Sequence, residues 1–299
     1  QYFDGYLAEV HFIDGTARPP SDFAEAHEDT GQWIPKEYTG GSYGTNGFYL
    51  KFASGALGTD SAGSNNYTAV NLANSDVLLD TPTNNCCTLN TLDTGSSTIT
   101  QGNLNLVTTN HSDTGGTIGL PNTGKWYWEV TCTTVGAAYF GIYKTSYNEW
   151  DGDWVDGSHI ALIASTGKKY SYPTTAATYM SGGVSNGDVV GVAVDCDNGK
   201  IFFADSNTWG DSGDPAAGTN PAGTFTASDG WKPGFYGPGS SNAINLALNF
   251  GQRSFSYTPP TGFKALTASN MPTPTIKEPG DYFNTVLYTG NAGTNAITG

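Results

Sequence analysis

Residues Gly187–Phe203 read GDVVGVAVDCDNGKIFF and carry the clearest structural signal in the sequence. Apolar residues alternate on both sides of Asn198-Gly199, and both residues of that pair tolerate a positive φ. The pattern predicts two antiparallel strands joined by a tight hairpin turn. Similar short runs, separated by turn residues, continue from about residue 99 to residue 266. We therefore predict an all-β antiparallel sandwich, in which two packed sheets bury alternate side chains of each strand.

Nine segments of this region have the composition and alternation of strands. The predicted strands are Leu104–Thr108, Lys125–Thr133, Ala138–Tyr143, His159–Ala164, Lys169–Tyr172, Asp188–Asp195, Lys200–Ala204, Lys232–Tyr236 and Ile244–Asn249.

Composition excludes several classes of protein. The chain of 299 residues has 12 Lys and Arg against 27 Asp and Glu, a formal net charge of −15. So few cations give little of the basic surface that phosphate neutralisation requires, so we expect no nucleic-acid partner. The apolar runs are far shorter than the roughly 18 residues of a membrane span, so we expect none. The 13% aromatic content argues against a disordered acidic chain.

The chain divides by composition into four parts. Residues 1–53 contain short strand patterns, and a helix is predicted for DFAEAHE after Ser21, which could cap it. Residues 54–95 are rich in Gly, Ser, Asn and Thr and are predicted to be an extended connector. Residues 96–266 form the predicted sandwich. Residues 267–299 contain a stiff Pro-Thr-Pro linker and then one strand pattern, DYFNTVLY, without a partner.

Five segments, in order and at similar spacing, resemble the SPRY (B30.2-like) domain family. They are GKWYWEV (124–130), YFGIY (139–143), GDVVGVAVDCDNGKIFF (187–203), WKPGFYG (231–237) and NFGQRSFSYTPPTGFKAL (249–266). The resemblance covers about half of the chain and implies a concanavalin-like β-sandwich. It also implies a non-enzymatic binding module whose variable loops at one end contact partners.

The flanking segments resemble other parts of large virion proteins. YFDGYLAEVHFIDG, at residues 2–15, is similar to the last strand of a laminin-G/concanavalin-like sandwich, and DYFNTVLY to the start of a further repeat. The arrangement is similar to that of bacteriophage tail-fibre and receptor-binding proteins. It implies location on the virion tail or capsid surface, extracellular action and a homo-oligomer. The implied partners are other virion proteins, copies of this chain, and a host-surface glycan or protein.

Two acidic, Trp-bearing loops are the candidate partner or ligand contacts. The candidate residues are Trp150, Asp151, Asp153, Trp154, Asp205, Asn207, Trp209 and Asp211. An exposed Trp can stack on a sugar ring, and Asp-rich loops can supply oxygen ligands to calcium. The calcium interpretation lacks the distal Glu of an EF-hand, so ordinary polar loops are favoured. We predict no metal and no cofactor, with calcium as the alternative.

No motif in the sequence indicates catalysis. The four His have no ligand spacing, and neither a nucleophile elbow nor a phosphate-binding loop is present. Alternation places Glu129 opposite Trp126 and Trp128, on a face that we predict to be solvated. No second carboxylate can be assigned opposite Glu129, as a glycosidase would require. The alternatives to a non-enzymatic virion adhesion protein are a polysaccharide-degrading enzyme and a calcium-dependent lectin on the same fold.

The four cysteines are Cys86, Cys87, Cys132 and Cys196. Small buried side chains are the favoured interpretation, because a disulfide-framed domain of this size would contain more cysteines. A Cys132–Cys196 bridge would require neighbouring strands.

Overall fold

The strands of this protein were located in a computed structural model. It describes residues 7–28, 33–79, 84–108, 112–146, 157–171, 174–237, 243–273, 275–276 and 282–283. Two compact units are distinguished and are treated separately. The larger contains residues 1–14 and 43–271, and the smaller contains residues 15–42 and 272–299.

Twenty short strands are defined within the described residues. The first nine are β1 (Val10–Phe12), β2 (Ala24–Ala26), β3 (Trp33–Pro35), β4 (Phe48–Leu50), β5 (Leu89–Thr94), β6 (Thr98–Thr100), β7 (Asn105–Thr108), β8 (Ser112–Gly116) and β9 (Lys125–Thr134). The others are β10 (Tyr139–Lys144), β11 (His159–Ile163), β12 (Lys168–Ser171), β13 (Thr174–Thr178), β14 (Val189–Asp195), β15 (Lys200–Asp205), β16 (Thr208–Trp209), β17 (Gly223–Thr224), β18 (Trp231–Gly237), β19 (Ile244–Asn249) and β20 (Lys264–Ala265). Single 3-10 turns occupy Pro20–Asp22, Asn74–Asp76, Gly210–Ser212, Ala227–Asp229 and Ala268–Asn270.

Two large sheets form the sandwich, which confirms the predicted fold class. The seven-stranded sheet has the order β13-β12-β11-β10-β18-β8-β5, and all of its pairings are antiparallel. The nine-stranded sheet has the order β16-β15-β14-β9-β19-β7-β6, with β17 beside β15 and β20 beside β9. All nine predicted strands are present, with ends shifted by at most one residue.

The core between the sheets is aromatic and aliphatic. Trp128 of β9 and Phe235 of β18 are fully buried and come from opposite sheets. Phe250, directly after β19, lies between them, with ring centroids 6.0 Å from Trp128 and 6.5 Å from Phe235. Truncating such a side chain to Ala typically costs about 3–5 kcal/mol of stability. These contacts explain why alternate residues of both sheets are large and apolar.

The outer face of the nine-stranded sheet is covered, contrary to the sequence prediction for Glu129. Glu129 is 2% exposed, and it accepts hydrogen bonds from Tyr127 Oη at 3.2 Å and from the amides of Ser256 and Tyr257 at 2.8 and 2.9 Å. The segment after β19 brings these two amides over the sheet, and Phe255 contacts the Tyr127 ring edge-on at 5.0 Å. Alternation gave the correct face for Glu129 but could not show that another segment covers that face.

The cysteines fit the favoured interpretation. Cys86, Cys87, Cys132 and Cys196 are all buried, and Cys87, Cys132 and Cys196 carry free thiols. Burial raises the pKa of the Cys87, Cys132 and Cys196 thiols to about 12. They therefore stay protonated at neutral pH and behave as small apolar side chains.

The early segments form small antiparallel ribbons. β1 pairs with β4, and in the smaller unit β2 pairs with β3, Ala26 lying opposite Trp33. The predicted helix after Ser21 is wrong: a single 3-10 turn ends at Asp22, and β2 follows. A helix this short has little intrinsic stability, so pairing with β3 prevails. Among the described residues, no helix has the length and hydropathy needed to cross a membrane.

Replacing Glu129 with Gln should destabilise the sandwich. Gln keeps the shape of the side chain, but it replaces an ionised acceptor of two backbone amides with a neutral one. We expect Glu129→Gln to lower the free energy of unfolding by about 1–3 kcal/mol in urea titrations. The exposed Glu37→Gln exchange removes the same charge and should change it by less than about 0.5 kcal/mol. Equal effects of the two variants would contradict the role assigned to Glu129.

Candidate recognition surface

The two ends of the sandwich can be distinguished from the strand directions. β9 ends at Thr134 and a short link leads to Tyr139, so these residues lie at one end. Asp205 lies opposite Val190 of β14, at that same end, which we call the Asp205 end. β10 runs away from it to Lys144, which we place at the Lys144 end.

The second predicted loop is a rigid hairpin at the Asp205 end. Ser206 and Asn207 both have positive φ values, 45° and 68°, and β16 then pairs back with β15. This geometry is typical of a two-residue hairpin turn, and Asn tolerates it well. Asn207 is exposed at the tip, and Asp211 is exposed after β16, with a φ of 52°. The turn therefore presents an amide and a carboxylate at fixed positions.

Trp209 is placed differently from the other three candidates in this loop. It is half-buried and packs against the outer cluster of the nine-stranded sheet, which contains Tyr127, Phe202 and Phe263. Its main role in the described structure is therefore to anchor the hairpin to the sheet. A sugar ring approaching this loop would meet only the exposed remainder of the indole.

Two carboxylates, those of Asp205 and Asp188, interact at the Asp205 end. Burial raises the pKa of Asp205, the nearby Asp188 carboxylate raises it further, and a hydrogen bond from Ser206 Oγ at 3.1 Å opposes both. Asp188 accepts the amide of Ser185 at 2.8 Å, which fixes its orientation. The carboxylates of Asp205 and Asp188 make this end suited to hydroxyl-rich or cationic groups.

The structure does not describe the first predicted loop. Trp150, Asp151, Asp153 and Trp154 lie outside the described residues. Lys144, from which the chain continues toward them, lies at the opposite end, where it pairs with Asp229 at 2.9 Å. Its Nζ also lies 5.6 Å from the centroid of the Trp231 ring. Within the described ranges, no group of three or more His, Cys, Asp or Glu side chains is arranged to hold a metal ion.

A third polar group, which sequence reasoning missed, lies on the outer face of the seven-stranded sheet. Asp93 Oδ2 accepts a hydrogen bond from Tyr143 Oη at 3.0 Å and pairs with Lys232 Nζ at 2.5 Å. Asp93 falls in the segment predicted as a connector, and 139 residues separate it from Lys232. No sequence signal links these positions, because β8, the strand between them, reads SDTGG and lacks apolar alternation.

The strands of the sandwich form a scaffold, and the turns at its ends carry the accessible polar groups. In a comparison with known protein families, residues 125–213 match the family model for the SPRY domain. This match supports the resemblance to SPRY domains noted for the motifs at 124–130, 139–143 and 187–203. The motifs at residues 231–237 and 249–266 come after the matched range in the sequence and belong to the same sandwich.

Two solved structures are similar to part of this chain. The SPRY domain of human HERC1 is 12% identical, with a TM-score of 0.44, and the match covers 54% of this chain and 96% of that one. Another human SPRY domain is 17% identical, with a TM-score of 0.38 and coverages of 52% and 96%. No curated protein matches the sequence at a significant level.

The raised pKa of Asp205 predicts a pH-dependent effect on stability. A carboxyl with a raised pKa in the folded state favours folding when protonated and opposes it as the pH rises through that pKa. Asp205→Asn removes the charge and keeps an acceptor for Ser206. At pH 7 it should raise the thermal midpoint by roughly 1–3 °C, and the gain should shrink as the pH approaches 4. The exposed Asp211→Asn exchange should have little effect at either pH. A lower midpoint for Asp205→Asn at pH 7 would disprove this electrostatic account.

Proposed function

We propose that this chain is a non-enzymatic virion structural and adhesion protein, a bacteriophage tail-fibre or receptor-binding component. In this proposal the SPRY domain contacts a host-surface glycan or protein. SPRY domains are interaction modules, and the match at residues 125–213 supports that general role. The virion setting rests on the resemblance of the flanking segments and on the low charged fraction of 13%.

The observation that carries the recognition part is the burial of the nine-stranded sheet on both faces. One face packs on the seven-stranded sheet and the other is covered by the segment after β19. Partners can therefore reach this sheet mainly through its turns. At the Asp205 end these turns offer carboxylates and an amide, which hydrogen-bond well to polyhydroxylated sugars. Many weak contacts of this kind become strong when several copies act together, which favours a homo-oligomer on the particle.

The first test is location. Particles purified from a culture that produces this protein should contain it in stoichiometric amounts by quantitative mass spectrometry, and antibodies to the sandwich should label the particle surface. Recovery of the protein only in the particle-free fraction would refute the virion assignment while leaving the interaction role open.

The second test is recognition by the hairpin. Labelled full-length chain should bind host cells saturably, and Asn207→Gly with Asp211→Asn should weaken binding at least about fivefold, because both exchanges keep the backbone conformation and remove recognition groups. Asn122→Gly, an exposed exchange in the turn before β9, is the matched control and should bind normally. Equal binding by all three proteins would exclude the hairpin as the contact. Release of reducing ends from host capsule would instead support the enzymatic alternative.

A further inference from the structure

A lysine and an aspartate from distant parts of the chain meet on the outer face of the seven-stranded sheet. Lys232 Nζ of β18 lies 2.5 Å from Asp93 Oδ2 of β5. Charge-assisted N–H···O contacts usually measure about 2.7–2.9 Å. The other four ion pairs between described residues span 2.9–3.9 Å. The amine and the carboxyl group are thus closer than in any of those pairs.

Two glycines make this approach feasible. β8 lies between β5 and β18, and Gly115 of β8 pairs with Gly234 of β18. A Cβ at Gly115 would overlap Asp93 Oδ2 and the Tyr143 hydroxyl, and a Cβ at Gly234 would overlap the Tyr143 ring. The absence of side chains at both positions lets Lys232 reach across the intervening strand to Asp93.

Tyr143 supplies a third reactive group at the same atom. Its hydroxyl donates to Asp93 Oδ2 at 3.0 Å, its ring centroid lies 4.8 Å from Lys232 Nζ, and the residue is 1% exposed. Burial raises the pKa of the Tyr143 phenol, and the Asp93 charge raises it further. The phenol therefore stays protonated and can donate its proton to an oxygen that leaves Asp93.

Water has limited access to the pair. The side chains of Lys232 and Asp93 are 14% and 20% exposed, compared with 28% and 40% for Lys144 and Asp229. Limited access of water protects the pair from competing hydrogen bonds with solvent. Amide formation requires the neutral amine and the carboxylic acid, which the passage of one proton from Lys232 to Asp93 provides.

We propose that Lys232 and Asp93 condense into an intramolecular isopeptide bond. After proton transfer within the pair, the Lys232 Nζ lone pair attacks Asp93 Cγ to give a tetrahedral intermediate. Tyr143 then donates its proton to the departing hydroxyl, and the proton that the amine loses restores the Tyr143 phenol. One C–N bond forms, one C–O bond breaks and one water leaves, so no oxidant or other reagent is needed. Because the fold holds the amine and the carboxyl group in contact, their reaction does not require a chance encounter in solution.

The bond would tie an edge strand to the interior of its sheet. β5 is the last strand of the seven-stranded sheet, and edge strands open more readily than central ones. A link to β18 would close a covalent loop across β8 and restrict the unfolded chain in the way that a disulfide does. This inference does not depend on which partner the domain recognises.

Mass spectrometry of the purified full-length chain tests the proposal directly. The denatured wild-type protein should weigh one water less than its sequence requires, and protease digests should contain one branched peptide joining Asp93 to Lys232. Lys232→Arg keeps the positive charge but should restore the full mass, whereas Lys144→Arg should retain the loss. Tyr143→Phe should leave a substantial fraction of the protein unlinked.

Two results would overturn the bond. One is a folded wild-type protein of full mass whose digests contain only linear peptides with these residues. The other is a water loss that persists in Lys232→Arg, because cyclisation of an aspartate elsewhere in the chain also removes one water. The peptide map of the wild-type protein decides the matter even if a variant fails to fold. Complete linkage in Tyr143→Phe would remove the role given to the phenol.

Discussion

The structure depends on the burial of β9 on both of its faces. Trp126, Trp128 and Val130 face the core between the sheets, while Tyr127 and Glu129 face the segment after β19. Along its edges β9 pairs with β14 and β19, and near its start with the parallel β20. A strand held on four sides has almost no freedom to shift register, since a one-residue slip would exchange its two sets of side chains.

Glu129 shows how a charge can be part of such a strand. An ionised carboxylate under a covering segment would be costly if it lacked donors. Two backbone amides and a phenol supply them, so the charge fixes the path of the segment that covers it. The same segment brings Phe255 against Tyr127, and polar and apolar contacts therefore specify one arrangement. The turns that project from these strands are therefore attached to a framework that holds their ends in place.

The sandwich itself could be predicted because its principal strands alternate strongly. In segments such as those around Val192 and Leu246, apolar residues at every second position indicate which face of the strand is buried. β5 and β8 could not be predicted in this way, because Thr, Asp and Gly dominate them and their pairing depends on partners remote in sequence. Residues 205–211 were predicted only as an acidic, Trp-bearing loop. Their hairpin was not predicted, because the packing of Trp209 depends on aromatic residues of other strands.

The start and the end of the sandwich lie side by side. The amide of Cys87 donates to the carbonyl of Leu266 at 3.0 Å, and the amide of Ala268 donates to that of Asn85 at 2.7 Å. A domain whose termini lie this close together can be inserted at a single loop position of another protein. Such a unit could therefore be inserted into an exposed turn of an unrelated protein, by evolution or by design, without disrupting the scaffold of that protein.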